Sequence, residues 1–284
     1  MPLFSFWMKN DMVDGRNDFG GIHMRVSMIQ MQVTADKAVN LAHMTELVRE
    51  AAKQGSDIVI LPEMFPCLYE TASFVKNAEP KGGAVWTALS TAAKENSVYL
   101  VGGSMPEQDG ERIYNTCFVF DRSGAQIARH RKTHLFDVDV KGGQYFKESD
   151  TFSAGSDVTV FDTEFGKMGL CICFDMRFPE LARLHALEGA KVIFVPAAFN
   201  MTTGPLHWEL MFRSRAVDNQ VFIVGCAPAR DVDGVYVSYG NSMAADPWGK
   251  VLARADAEEC IVTLDVDLSE TERVRSQLPL LSAR

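Results

Sequence analysis

The feature that most constrains this chain is an alternation. Short, strongly apolar runs take turns with stretches whose apolar residues recur at helical spacing. Each apolar run stops at a glycine, a proline or a polar cluster, the look of a strand buried in a sheet that helices cover. MRVSMIQMQV (24–33) predicts a first strand, with Val26, Met28 and Gln30 alternating against Ser27, Ile29 and Met31. Thr34 or Asp36 then caps a helix with the stripe Val39, Ala42, Leu47 and Ala51, ending at Gly55. DIVILPE (57–63) is a short strand stopped by Pro62, AVWTALSTAAKEN (84–96) a helix and SVYLVGGS (97–104) a strand. Residues 113–132 form a hairpin that turns at Arg122, Ser123 and Gly124. KMGLCICF (167–174) and AKVIFVP (190–196) are strands around the helix PELARLHALEG (179–189), with Pro179 in its first turn. A helix over 207–219, a strand over 220–228 and a second hairpin turning at 246–249 follow.

This order predicts a mixed α/β fold, and the two hairpins exclude a plain doubly wound sheet or barrel. Residues 1–23 mix Trp7 with glycines and scattered charges at no sustained period, so they read as a leader outside the core. The rest, 24–284, reads as a single domain without internal repeats. With 37 acidic against 28 basic side chains the formal charge is −9, the wrong sign for neutralising phosphates, so no nucleic-acid partner is expected. No apolar run approaches the roughly 18 residues of a membrane span, and MPLFSFWM lacks the basic start of a secretory signal. Four of the six cysteines sit in apolar strand-like runs, which suits reduced thiols and a cytoplasmic location. An enzyme is the class these exclusions leave foremost.

Three segments place reactive groups at the ends of buried strands, where active sites usually lie. Glu63 follows Ile58–Leu61, so its carboxyl emerges from an apolar edge that would raise its pKa toward the range of a general base. Lys132 lies in the basic stretch 129–137, and an ammonium there can stabilise a developing oxyanion. Cys173 ends a strand and precedes a helix opening near Pro179, whose N-terminal potential would favour the thiolate. The backbone N–H of Phe174 can hold an oxyanion at the same elbow. Each also has an ordinary reading: a solvated loop acid, a solvated cationic loop, one more core cysteine. Cys171, within the strand, reads as a core hydrophobe, and its spacing to Cys173 is too short for a zinc knuckle. A Cys nucleophile, a Glu base and a Lys donor together form a complete set for attack on an amide carbonyl, with no metal or cofactor required.

ProGluMetPhe (62–65), LysThrHisLeuPheAsp (132–137) and CysPheAspMetArgPheProGlu (173–180) resemble the three catalytic blocks of the nitrilase superfamily. The resemblance continues through 198–209, 215–220 and 246–249 and covers essentially everything from Met24 onward. It implies a four-layer αββα sandwich and a homodimer or larger homo-oligomer. It also implies Glu63 as base, Lys132 with the Phe174 N–H as oxyanion donors, Cys173 as nucleophile, and Glu148 as a second glutamate that positions Lys132 and substrate. GluSerAspThrPhe (148–152) and ThrThrGlyProLeuHisTrpGlu (202–209) lean toward the omega-amidase branch. That branch implies hydrolysis of the terminal carboxamide of small 2-oxo acids such as 2-oxoglutaramate and 2-oxosuccinamate. Its substrate carries a carboxylate, for which Arg177 is the candidate clamp, unless that guanidinium pairs with Glu180 or Asp175. Thr203 is a candidate second donor, and Phe199 and Tyr69 candidate pocket walls. A deaminated-glutathione amidase, which fits less well around 216–219, a nitrilase or carbamoylase, and a non-catalytic scaffold are the alternatives. Pro66 and Leu68 depart from the pattern, where Asn and Pro are expected, which bears on the pocket entrance.

Overall fold

The computed structural model of the chain describes residues 21–284. Its first half runs β1 (His23–Gln30), α1 (Lys37–Lys53), β2 (Ile58–Ile60), α2 (Thr71–Asn77), α3 (Ala84–Asn96), β3 (Tyr99–Val101), β4 (Met105–Asp109), β5 (Arg112–Phe120) and β6 (Gln126–Arg131). A small hairpin follows, β7 (Asp137–Asp139) and β8 (Tyr145–Lys147). The second half runs β9 (Thr159–Thr163), β10 (Gly166–Leu170), α4 (Pro179–Leu187), β11 (Val192–Pro196), α5 (Gly204–Asn219) and β12 (Phe222–Cys226). It closes with β13 (Met243–Ala245), β14 (Val251–Arg254), β15 (Cys260–Asp267) and α6 (Ser269–Gln277).

The strands form two larger sheets with similar plans. One is ordered β15-β1-β2-β3-β5-β4, with β6 also on β5, and the other β14-β13-β12-β11-β10-β9. Each has a parallel centre, β1-β2-β3 and β10-β11-β12, flanked by antiparallel strands. The period-two alternation of a strand decides the layers. Val26, Met28, Ile58, Ile60 and Val119 of the first sheet join Leu170, Val192 and Val224 of the second in one core between the sheets. Their neighbours Ile29, Val59, Leu61, Leu100 and Phe118 point the other way, onto Met44 and Val48 of α1 and Leu89 of α3. Leu181 and Ala186 of α4 and Trp208 and Phe212 of α5 cover the far side of the second sheet. The result is the four-layer αββα sandwich. Burial on both faces is why the central strands read as continuous apolar runs. The exceptions are satisfied: Gln30, fully buried, donates to Asp256 O and Glu258 O at 2.8 and 2.7 Å and accepts from Ser242.

Several expected boundaries move. The buried face of α1 is Asn40, Met44, Val48 and Ala51, whereas Val39 is 53% exposed. The stripe begins on a polar residue because the Asn40 side chain binds the Thr34 N–H (2.9 Å) and the Pro66 carbonyl (3.0 Å). Asp36 is the cap, its Oδ1 accepting from Ala38 N at 2.8 Å. The strand expected over 167–174 ends at Leu170, and Cys173–Arg177 form a 3₁₀ turn. Of the proposed leader, residues 1–20 lie outside the described residues. His23 already pairs with Asp267 in the β1–β15 ladder, and Ile22 O accepts from Leu268 N at 2.9 Å.

Candidate active site

Glu63 leaves the C-terminal end of β2 through a bend that its neighbours hold. Met64 has a left-handed backbone (φ 55°), and its N–H donates to Ser104 Oγ at 3.0 Å. Gly103 (φ 61°) packs so closely behind the bend that a Cβ there would lie 2.3 Å from the Pro62 carbonyl oxygen. Only glycine fits this approach. The GlyGlySer at the end of β3 is therefore the support on which the Glu63 carboxyl rests.

Lys132 follows β6, its N–H continuing the ladder to Asn115 O at 2.8 Å. Its ammonium is fully buried and lies 2.9 Å from Glu63 Oε1 and 2.9 Å from Glu148 Oε2. Glu148 starts a 3₁₀ turn after β8 and also accepts from the Phe136 N–H at 2.6 Å. Two further side chains tie the carboxylates together. Asn115 Nδ2 donates to Glu63 Oε1 at 2.9 Å, and the Tyr69 hydroxyl donates to Glu148 Oε1 at 2.7 Å. Burial alone would lower the lysine's pKa, but Glu148, Glu63 and the Cys173 sulfur outweigh it, and the ammonium stays charged. Burial raises the pKa of Glu63, against the opposing pull of Lys132. Its second oxygen, Oε2, is buried with no hydrogen-bond partner among the described residues. A carboxylate held on one oxygen and unsatisfied on the other is poised to take a proton.

Cys173 stands at the head of the 3₁₀ turn, buried, with φ 45°. A left-handed non-glycine residue costs about 1–3 kcal/mol and persists only where its surroundings enforce it. Here Asp175 does so. Its Oδ2 accepts from Ile172 N and pairs with His130 Nε2, both at 3.0 Å, and its Oδ1 accepts from His134 N at 2.9 Å and pairs with His134 Nδ1 at 2.8 Å. His130 is itself anchored on Thr159 Oγ1 at 2.9 Å. Although burial opposes it, these partners hold Asp175 below the usual carboxylate range. The thiol departs from the expectation of a helix-stabilised thiolate. Burial, and then the Glu63 carboxyl, push its pKa well up, with Lys132 and the Ala198 N–H pulling back. The helix α4 starts only at Pro179, beyond the intervening turn, so Cys173 rests as a neutral thiol beside a base.

The thiol opens into a narrow chamber whose walls include Phe174, Arg177, Phe199, Thr203 and Tyr236. Three of the four side chains expected to bind substrate thus line the same chamber as the nucleophile. Arg177 pairs with neither Glu180 nor Asp175. Its Nη1 donates to His207 Nδ1 at 3.1 Å, and its guanidinium lies 5.0 Å from the Phe199 ring centroid and 5.5 Å from that of Phe174. Tyr69 is placed differently: its hydroxyl serves Glu148, and its ring packs on Tyr236 with centroids 4.4 Å apart. Cys171 is buried in the core. The sequence reading missed Asn115, Asp175, His130, His134 and Tyr236. For Asn115 there was a signal, an amide inside the apolar strand IYNTCFVF. Among the described residues, no group of three or more His, Cys, Asp or Glu side chains could hold a metal ion.

Residues 25–276 match the carbon-nitrogen hydrolase family. The chain is 49% identical to the omega-amidase NIT2 of Mus musculus, over 92% of this chain and 94% of that protein. It is 48% identical to the Homo sapiens omega-amidase NIT2, over 90% and 93%. The solved structure of Saccharomyces cerevisiae Nit3, a member of branch 10 of the nitrilase superfamily, superimposes with a TM-score of 0.84 at 40% identity, covering 91% of this chain and 95% of that one. A match that runs through both sheets and the helices covering them leaves one placement: the chain belongs to the carbon-nitrogen hydrolase family, within the nitrilase superfamily.

Proposed function

We propose that the protein hydrolyses the terminal carboxamide of small 2-oxo dicarboxylic acid monoamides, releasing ammonia. The observation that carries this reading is the pairing, in one chamber, of a neutral thiol backed by a Glu–Lys–Glu cluster with a guanidinium that has no carboxylate partner among the described residues. The likeness to omega-amidases supports it. Glu63 takes the Cys173 proton on Oε2 while the sulfur attacks the amide carbon. Lys132 and the Phe174 N–H stabilise the oxyanion. Collapse breaks the C–N bond, and Glu63 returns its proton to the departing nitrogen as ammonia. Water, deprotonated by the same carboxyl, then attacks the thioester, and the thiolate leaves and is reprotonated. Glu148 and Asn115 hold Lys132 and Glu63 in register throughout. Arg177 binds the substrate's far carboxylate, Thr203 adds a donor and Phe199 forms the wall. An ammonia-release screen over 2-oxoglutaramate, 2-oxosuccinamate, glutamine, deaminated glutathione and simple nitriles tests this reading. Preference for the first two is expected, and turnover of nitriles alone refutes it.

The partner is a second copy of the chain. Leu184 and Leu187 of α4 and Leu206 and Leu210 of α5 stand exposed on adjacent helices of the outer layer, Leu206 by 77%. Light scattering of Leu206→Glu/Leu210→Glu should show a smaller species than the parent protein. Six unpaired cysteines, five of them buried, support a reducing, cytoplasmic location.

A further inference from the structure

Three cavities meet at the site, the middle one sharing lining residues with each of the others. The chamber holding Cys173 shares Ala198 and Tyr236 with a cavity of about 290 Å³ on the Glu63 side. It shares Phe136, Phe174, Arg177 and Thr203 with another of about 200 Å³, whose described lining has no residue in common with the first. The two outer cavities have opposite charge. Glu63, Glu70, Asp231 and Asp233 line the first, with no Lys, Arg or His among its described lining residues. Arg177 is the sole charged lining residue described for the second. The rim acids are not neutralised by their own contacts: Glu70 accepts from the Ser73 hydroxyl at 2.8 Å, and Asp231 from the Asp233 N–H at 3.1 Å. At the inner end of the same cavity wall, Glu63 carries the buried, unpartnered Oε2.

The reaction makes products of opposite charge, and they need not leave the same way. We propose that the acidic cavity is an ammonium port, separate from the Arg177 side through which the anionic substrate and dicarboxylate product pass; this rests on the amidase reading above. Acylation breaks the C–N bond as the C–S bond forms, and ammonia departs with the proton that Glu63 took from Cys173. On reaching water it takes up a further proton, and as ammonium it is drawn outward between Asp231, Asp233 and Glu70. Its departure along the Glu63 face leaves room there for the water that this carboxylate activates next. The anionic keto acid, held as the thioester, is repelled by the same acids and stays on the arginine side. Tyr236, packed on Tyr69 and donating to the Ala198 carbonyl, stands between the two compartments.

Microscopic reversibility supplies the test: ammonium must return to the mouth of the same path and give up there the proton it gained, so that ammonia, the nucleophile, reaches the thioester. The ω-methyl ester of a 2-oxo dicarboxylic acid forms the same thioester and releases methanol in place of ammonia. Added ammonium chloride then diverts acyl-enzyme from acid to amide, and initial rates give the amide-to-acid ratio. In Asp231→Asn/Asp233→Asn that ratio should fall about tenfold at fixed ammonium, the low end of the scale on which a one-sign cleft concentrates its counter-ion. The hydroxamate-to-acid ratio with neutral hydroxylamine should not change in the same variant. Asp233→Lys should lower the amide ratio further and again spare the hydroxamate. An unchanged amide ratio, or an equal fall for both nucleophiles, overturns the port. Failure of the parent protein to release acid from the ester overturns the amidase reading itself, and the port with it.

Discussion

Replacing Asp175 with Asn tests whether the nucleophile's backbone is held by one carboxylate. Asp175 accepts four hydrogen bonds on its two oxygens, from His130, Ile172 and, twice, His134. An asparagine keeps one oxygen, and its amide group turns two of those donors into donor–donor contacts. A change of tautomer at His130 turns one of them back into a neutral bond, which partly offsets the loss of two charge-assisted bonds at about 1.5–3 kcal/mol each. The net cost is about 3 kcal/mol, which for a domain of this size lowers Tm by about 6–12 °C. Function should suffer further, because Cys173 sits at φ 45° against a strain of about 1–3 kcal/mol. Freed of its clamp, the turn relaxes, and kcat should fall about 10- to 100-fold, since each 1.4 kcal/mol is a factor of ten. KM should rise as well, because Arg177 ends the same 3₁₀ turn. The sign with pH follows from the depressed pKa of Asp175. Its stabilisation is fully present above the unfolded carboxylate value near 3.9 and is lost as pH falls toward the folded value. The Tm gap between parent and variant should therefore be constant near neutrality and narrow below about pH 4. Calorimetry, steady-state kinetics and the rate of Cys173 alkylation by iodoacetamide measure these effects. A variant within about threefold of parental kcat, and within about 2 °C of its Tm, would refute the clamp, because neither a lost charge-assisted pair nor a relaxed elbow is that small.

Cys173→Ala should abolish turnover while Cys171→Ala retains most of it, and mass spectrometry of slow substrates should place the thioester on the Cys173 peptide. Glu63→Gln should cost about 10²- to 10⁴-fold, the range for a lost general base. Because burial raises the Glu63 pKa, the parental kcat/KM should climb with pH through a limb above the ordinary glutamate value near 4.3, a limb that this variant loses. Arg177→Met should lower kcat/KM for 2-oxoglutaramate by about 2–3 kcal/mol, the worth of a charge-assisted pair. Equal loss on a small neutral amide would instead make Arg177 a support of the elbow.

What could be read from the sequence divides along a physical line. Strands such as 58–60 and 192–196 were legible because burial on both faces leaves only apolar residues in them. Glu63 and Cys173 were legible because each ends an apolar run with a group that burial would penalise without a task, and Lys132 because its block resembles a known catalytic one. Elements with mixed surroundings were not. β15 is a half-exposed edge strand whose Asp265 pairs with Arg25 at 2.7 Å, and α6 buries little beyond Thr271 and Val274, so neither shows a clean period. The residues that tune the site were hidden for another reason. Asn115 meets Glu63 across 52 residues of chain, and Asp175 meets His130 across 45. No local pattern encodes these contacts, because they exist only once β5, β6 and the turn after β10 have been brought to one end of the sandwich. The state of the thiol shows the consequence most sharply. A helix N-terminus is a local feature and favours the thiolate, whereas burial and the facing carboxyl are products of the fold and favour the thiol. The helix effect fades within a turn, and Pro179 begins the helix beyond the turn that carries the sulfur. The fold wins, and that is why the chemistry needs Glu63 as a base at all.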